Sequence, residues 1–159
     1  HAYSKIYRLN TIGLRFFTVY GPWGRPDMAL FKFTKSILEN KKIEIFNYGN
    51  HMRDFTYIAD AVDIVINIFK YLNSKKNNGI YEVYNVGTNK PIKLTNFIKI
   101  IEKKLQLTSK KKFLKLQQGD VKATTCDVKK IKKFLPKKIT SLDLGIGNFI
   151  NWYKNYYKN

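Results

Sequence analysis

The stretch Thr11-Ile-Gly-Leu-Arg-Phe-Phe17 decides the fold, together with the loop Gly21-Pro-Trp-Gly-Arg-Pro-Asp27 that follows it. Apart from Arg15, the first stretch has no charged residue on either of its alternating faces, which predicts a strand in the middle of a covered sheet. Ligands of open α/β sheets bind beyond the carboxyl ends of such strands. A ligand loop is therefore predicted at 21–27, and a plain core strand with a Gly/Pro turn is the alternative.

Helices that alternate with short strands predict the α/β fold class for the rest of the chain. Apolar residues at three- and four-residue spacing predict helices at 29–39, 59–72, 94–107 and 141–157, with shorter ones at 2–9 and 127–135. Strands are predicted at 42–46, 53–57, 81–86, 113–116 and 123–126. These strands supply few neighbours for 11–17. We therefore expect that strand and the apolar face of helix 29–39 to expose a large apolar patch.

The net charge of +19 would ordinarily indicate a nucleic-acid or anionic-membrane partner. Only four of the 30 basic residues are arginine, namely Arg8, Arg15, Arg25 and Arg53. The lysine runs at 110–112 and 129–133 are typical of solvated surfaces. Arginine, which grips phosphate or carboxylate through two parallel hydrogen bonds, is instead found in the loops at Arg25 and Arg53. A lysine-rich nucleic-acid-binding domain remains the alternative from another functional class.

Cysteine and histidine are too few for the usual metal or nucleophile sites. Cys126 is the single cysteine, which excludes an internal disulfide and fits a reducing, cytoplasmic compartment. His1 and His51 are the only histidines and show no metal-ligand spacing. No run of eighteen or more apolar residues and no signal-peptide pattern is present, so a cytoplasmic protein without a membrane span is expected.

The order of motifs resembles one enzyme family across essentially the whole chain. The first two motifs continue through Arg53-Asp-Phe-Thr-Tyr-Ile-Ala-Asp60, Tyr84-Asn-Val-Gly87, Gln117-Gln-Gly-Asp-Val121 and Asn151-Trp-Tyr153. This series is similar to the extended short-chain dehydrogenase/reductase family of NAD-dependent nucleotide-sugar epimerases and dehydratases. The closest resemblance is to the UDP-glucuronate 4-epimerases. It implies the substrate-binding, carboxy-terminal part of a Rossmann-type fold, with a dehydratase as the alternative within the family.

The resemblance also implies a role for individual residues. Thr18 would face the sugar and diphosphate, Arg25 the sugar carboxylate, and Arg53 the diphosphate. Phe46 and Asn47 would lie along the uracil, Asp120 would hold the ribose hydroxyls, and Phe17 would pack beside the nicotinamide of NAD. Gln117 stands where galactose-type relatives carry a second phosphate-binding arginine, which favours the glucuronate branch. From the residues alone, Arg53 could equally form a surface ion pair with Asp54 or Asp60, and Asp120 could be a turn residue. Asp60 and Asp63 are expected to be charges at a helix start.

Two parts of the family pattern do not occur in the sequence. No Gly-x-x-Gly-x-x-Gly loop for the dinucleotide is present. The family's Tyr-x-x-x-Lys pair is also missing, since Tyr3 is followed by Tyr7, so no catalytic residue is assigned and the pair is expected upstream of His1. We expect residues 1–28 to be the end of the Rossmann-type domain and 29–159 to be the substrate-binding domain. A UDP-sugar is the expected partner, without nucleic acid or membrane. Intact relatives are expected to use NAD and to form homodimers through helices mostly absent from these 159 residues.

Overall fold

A computed structural model gives the fold and describes residues 1–157. Within this described range lie five α-helices, at Ala2–Tyr7 (α1), Ala29–Leu38 (α2), Ile58–Asn73 (α3), Leu94–Leu105 (α4) and Leu142–Tyr157 (α5). Seven strands accompany them, at Thr11–Phe16 (β1), Thr18–Tyr20 (β2), Lys42–Ile45 (β3), Met52–Tyr57 (β4), Tyr81–Val86 (β5), Pro91–Lys93 (β6) and Lys110–Phe113 (β7). Single 3-10 turns lie at Phe46–Gly49 and Lys132–Phe134. The α/β fold class predicted from the pattern is confirmed.

The strands form three small sheets. β1 pairs in parallel with β5, from Thr11 opposite Tyr81 to Phe16 opposite Val86. β4 lies between parallel β2 and antiparallel β6, and β3 pairs in parallel with β7. Among residues 1–157, β5 is the only strand beside β1, so the expected shortage of sheet neighbours is observed. β1 is half-buried along Thr11–Leu14 and exposed at its end, where Phe16 is 50% exposed.

The main core packs α2, α4 and α5 against the sheet of β2, β4 and β6. Phe55 of β4 stacks on Phe97 of α4 with ring centroids 4.2 Å apart. The apolar side of α2 lies inside this core, with Leu30, Phe33 and Ile37 all buried. The expectation that helix 29–39 exposes its apolar face is therefore wrong, because α4 and α5 cover it.

A different helix carries the exposed apolar face. α3 buries Ile64 and Ile68 against β5 and the Lys132–Phe134 turn. Four other apolar side chains of α3, Val62, Val65, Ile66 and Phe69, are 40–61% exposed. Periodicity identified these four as one face of a helix, but periodicity does not tell which face meets a partner.

Several local predictions were wrong near the carboxy terminus. The strand predicted at 113–116 occurs earlier, at Lys110–Phe113, and the one at 123–126 is reduced to a single bridge between Met52 and Ala123. The helix predicted at 127–135 is only a short 3-10 turn. Apolar residues show little periodicity in these lysine-rich segments. Backbone hydrogen bonds to Ile45 and Met52 therefore determine where the chain is extended.

Asp60 has a larger role than a charge at the start of α3. Its side chain is buried, and its carboxylate accepts hydrogen bonds from the Thr140 backbone N–H at 2.9 Å and the Thr140 hydroxyl at 2.8 Å. It therefore ties the start of α3 to the segment that leads into α5. Among residues 1–157 no helix is both long enough and apolar enough to cross a membrane.

Candidate functional site

Two adjoining clefts open where β1 ends and β2 begins. The first, called here the narrow cleft, has a volume of ≈ 400 Å³, and its lining includes Thr18, Phe46, His51, Arg53, Gln117 and Asp120. The second, the wide cleft, has a volume of ≈ 820 Å³, and its lining includes Phe17, Thr18, Trp23, Arg25, Arg53 and Thr124. Thr18 and Arg53 line both clefts, so the two form one continuous depression.

Pairing of β2 with β4 places Thr18 and Arg53 on the same side of their sheet. Thr18 lies opposite Phe55 in the parallel register, and Arg53 is two residues before Phe55 along β4. Side chains two apart in a strand point to the same face. A hydroxyl and a guanidinium therefore face the same depression from neighbouring strands.

Asp120 meets Arg53 across this depression. A guanidinium nitrogen of Arg53 donates a hydrogen bond to Oδ1 of Asp120 at 2.9 Å, and the other terminal nitrogen donates to the Met52 carbonyl at 3.0 Å. The Arg53 side chain is only 21% exposed and that of Asp120 33%. The alternative in which Arg53 forms a surface pair with Asp54 or Asp60 is therefore wrong, since both of those carboxylates are buried elsewhere.

Backbone hydrogen bonds hold the Asp120 loop against β4. The Met52 N–H donates to the Lys122 carbonyl and the Thr124 N–H donates to the Met52 carbonyl, both at 3.0 Å. The turn before Asp120 uses Gly119 in the left-handed region, with a φ of 81°, where glycine has no Cβ penalty. Asp120 is thus a turn residue, as the alternative held, and its carboxylate also reaches the site.

Asp54 fixes the framework behind the cleft, a function that the sequence analysis did not assign. Its fully buried carboxylate accepts hydrogen bonds from the backbone N–H groups of Thr88, Asn89 and Cys126 at 2.8–3.1 Å. Three chain segments therefore meet at the residue next to Arg53. The signal in the sequence is alternation, because Arg53 and Asp54 must point to opposite faces of β4.

His51 is the second residue that the sequence analysis missed. Its ring is 4% exposed, yet it lines the narrow cleft, and its Nε2 lies 3.0 Å from Oδ2 of Asp120. The two atoms are at ion-pair distance, although the ring N–H is not aligned with the carboxylate as a hydrogen bond. Its position two residues before Arg53 could have indicated a shared face.

The remaining predicted site residues differ in whether they line a cleft. Arg25 lines the wide cleft, but its side chain is 74% exposed and its guanidinium donates to Asp27 at 3.0 Å. Gln117 and Phe46 line the narrow cleft. Asn47 lines neither cleft and adopts a left-handed backbone conformation with a φ of 50°.

Cys126 is unsuited to nucleophilic chemistry. The side chain is completely buried, and burial, reinforced by the carboxylates of Asp54 and Asp127, raises the pKa of the thiol to about 11. A neutral thiol is a poor nucleophile. Residues 1–157 contain no cluster of three or more His, Cys, Asp or Glu side chains arranged to hold a metal ion.

Among residues 1–157, one apolar surface is suited to part of a dinucleotide. Phe17 lines the wide cleft beside the half-exposed Phe16, which offers an apolar surface of the kind that a nicotinamide ring packs on. The chain supplies no glycine-rich loop to hold the phosphates of NAD. The described residues therefore offer an apolar surface suited to a nicotinamide but no loop for the phosphates of NAD.

Comparison with known proteins gives a consistent set of similarities. Residues 1–87 match the model of the NAD dependent epimerase/dehydratase family. The chain is 44% identical to Protein CapI of Staphylococcus aureus, over 99% of this chain and 51% of that protein. It is 40% identical to UDP-glucuronate 4-epimerase 4 of Arabidopsis thaliana, over 99% of this chain and 39% of that protein.

A solved structure shows the same fold. The UDP-glucuronic acid 4-epimerase from Bacillus cereus, in complex with UDP-glucuronic acid and NAD, superposes with a TM-score of 0.86 at 35% identity. The match covers 99% of this chain and 49% of that one. The chain thus spans about half the length of the relatives that it matches, and its α/β architecture is that of part of a Rossmann-like epimerase fold.

Proposed function

Because the chain belongs to the NAD dependent epimerase/dehydratase family, we propose that it is the UDP-sugar-binding part of an epimerase, with UDP-glucuronate as the sugar nucleotide. The observation that carries the proposal is the position of Thr18, Arg53 and Asp120 on one narrow cleft, with Arg53 and Asp120 in direct contact. The relatives named above as UDP-glucuronate epimerases support the choice of sugar.

Each group of the ligand has a chemically suitable partner in the cleft. Arg53 keeps N–H donors beyond those engaged by Met52 and Asp120, and guanidinium donors suit a diphosphate. The Asp120 carboxylate suits the two hydroxyls of a ribose. Phe46 offers an apolar face for uracil, and Thr18, at the junction of the two clefts, lies between the diphosphate and sugar positions.

Arg25 and Gln117 favour an acidic sugar. Arg25 projects into the wide cleft from the loop after β2, where a sugar carboxylate would meet a permanently charged guanidinium. Gln117 is uncharged, so among the described residues that line the narrow cleft Arg53 is the one arginine. A dehydratase that acts on a nucleotide sugar would share the diphosphate and ribose contacts but not the need for Arg25.

The domain division of the sequence analysis is part of the same proposal. Residues 1–28 carry α1, β1, the ligand loop and β2 and are assigned in this proposal to the end of the Rossmann-type domain, with 29–159 as the substrate-binding domain. Both β1 and β2 pair with strands of the second segment, so the sheets continue across this division. NAD would supply hydride chemistry in the complete enzyme, with Phe17 beside its nicotinamide. A cytoplasmic location and homodimeric assembly of the complete enzyme belong to this proposal, and the free Cys126 fits the reducing environment of the former.

Calorimetric titration of the chain with UDP and with UDP-glucuronate tests the proposal. We expect saturable binding of both ligands and loss of binding when Arg53 is replaced. Retention of a labelled oligonucleotide on nitrocellulose at moderate salt, together with no heat on addition of UDP, would favour the lysine-rich nucleic-acid-binding alternative instead.

A further inference from the structure

His51 stands out among the groups that the proposed contacts leave unused. It is a nearly fully buried titratable ring that nevertheless borders the narrow cleft. Its Nε2 has no hydrogen-bond partner among residues 1–157, and the charged group that it meets is Asp120, at 3.0 Å. Burying an imidazole nitrogen without a full hydrogen bond costs stability. A histidine at position 51 therefore needs a functional explanation.

Asp120 meets a nitrogen-bearing side chain at each of its two carboxylate oxygens. Arg53 contacts Oδ1 and His51 lies against Oδ2, so each carboxylate oxygen has one protein neighbour. A carboxylate has about four lone-pair positions. Two directions therefore stay free, and they are available to hydroxyl donors in the cleft.

The two neighbours of Asp120 are not equivalent. Arg53 would also have to serve the diphosphate, and its long side chain can shift when an anion arrives. His51 is short, buried and set by the start of β4, so it can keep Asp120 in place while Arg53 engages phosphate. A carboxylate with Arg53 as its only partner would instead follow the guanidinium.

We infer that His51 is a positioning residue that sets the orientation of Asp120 for the ribose hydroxyls of the sugar nucleotide. The inference rests on the proposed function and adds a determinant of ribose recognition to it. A purely structural role, in which the ring only fills space behind the cleft, makes a different prediction, because packing does not distinguish ribose from deoxyribose.

Titration with UDP and with 2′-deoxy-UDP separates these roles. The variants are His51→Phe, which keeps a ring of similar size without nitrogens, and His51→Gln, which restores an amide donor. His1→Gln is the matched control, because His1 is an exposed histidine outside both clefts. Circular dichroism of each variant checks folding, and His51→Met replaces His51→Phe if the latter does not fold.

We expect His51→Phe to weaken UDP binding about tenfold, as for loss of a contact to a charged group, and to weaken 2′-deoxy-UDP binding much less. The preference for UDP over 2′-deoxy-UDP should therefore be smaller in His51→Phe than in the wild-type chain. His51→Gln should recover most of this preference. Equal weakening of both ligands, or an unchanged preference, would overturn the inference while UDP binding by the wild-type chain preserves the proposed function. Absence of UDP binding by the wild-type chain would remove both.

Discussion

Arg53 and Asp120 lie 67 residues apart in the chain and meet at 2.9 Å between a guanidinium nitrogen and Oδ1. Arg53 belongs to β4. Asp120 belongs to a loop that backbone hydrogen bonds at Met52 hold against β4. Their contact joins a donor suited to a diphosphate with an acceptor suited to a ribose. The roles proposed for the other site residues depend on where they lie relative to this pair.

Replacement of Arg53 by lysine tests the guanidinium. Lysine keeps the charge but loses the planar pair of donors, so we expect UDP affinity to fall about tenfold or more. Arg15→Lys is the control, because Arg15 is exposed on β1 and lines neither cleft. Titration calorimetry measures both, and equal affinities for the two variants would argue against a diphosphate contact at Arg53.

Replacement of Arg25 by glutamine tests the choice of sugar. We expect the preference for UDP-glucuronate over UDP-glucose to decrease by about threefold, a modest effect because the guanidinium is largely exposed and shared with Asp27. UDP alone should bind as before, since it lacks the sugar carboxylate. Competition titration measures the preference, and a fall in UDP affinity itself would place Arg25 at another part of the ligand.

Two glycines of α5 offer a paired test of core packing. A Cβ at Gly145 would collide with the ring of the buried Tyr20, whereas a Cβ at Gly147 would lie 3.7 Å or more from its nearest neighbour, the flexible Lys104 side chain. We expect Gly145→Ala to destabilise the fold by about 1–3 kcal/mol by overpacking. Gly147→Ala should be stabilising by about 0.5–1 kcal/mol, because alanine favours the helix. Urea unfolding gives both values, and a Gly145→Ala variant at least as stable as the wild type would contradict the packing at Tyr20.

Cys126 should resist modification in the folded chain. The buried thiol, with its pKa raised to about 11, stays protonated at pH 8, and only the thiolate reacts readily. We expect iodoacetamide to label Cys126 slowly at pH 8 and rapidly after addition of guanidinium chloride. Mass spectrometry follows the labelling, and fast labelling without denaturant would show that the segment around Cys126 opens easily.

The apolar face of α3 should make the isolated chain associate with itself. Val62, Val65, Ile66 and Phe69 are exposed on this helix, and exposed apolar patches promote association. Phe69→Lys should shift the chain toward monomer in analytical ultracentrifugation. Lys70→Ala, at the exposed neighbouring position, is the control. A wild-type chain that sediments as a single monomer and unfolds reversibly would contradict this expectation.

Residues that follow strong local patterns were the ones that could be placed from sequence. β5 occurs at the predicted Tyr81–Val86, and α4 and α5 begin within one residue of their predicted starts, because alternation and helical spacing act locally. The resemblance also anticipated that Thr18, Arg53 and Asp120 share a cleft. Their ligand roles stay predictions until a ligand is bound.

What escaped prediction depends on contacts between distant segments. Three interactions join residues more than thirty positions apart: the pairing of β2 with β4, the buried hydrogen bonds of Asp54 and the contact of His51 with Asp120. The covered face of α2 and the exposed face of α3 have equally good helical patterns, and only the packing of α4 and α5 tells them apart. Local sequence carries little information on such pairings.

The most direct test is a crystal structure of the chain soaked with UDP. We expect the diphosphate within hydrogen-bond distance of Arg53, the ribose hydroxyls on Asp120 and the uracil along Phe46. Density for UDP on another surface, with the contact between Arg53 and Asp120 undisturbed and the narrow cleft empty of nucleotide, would contradict it.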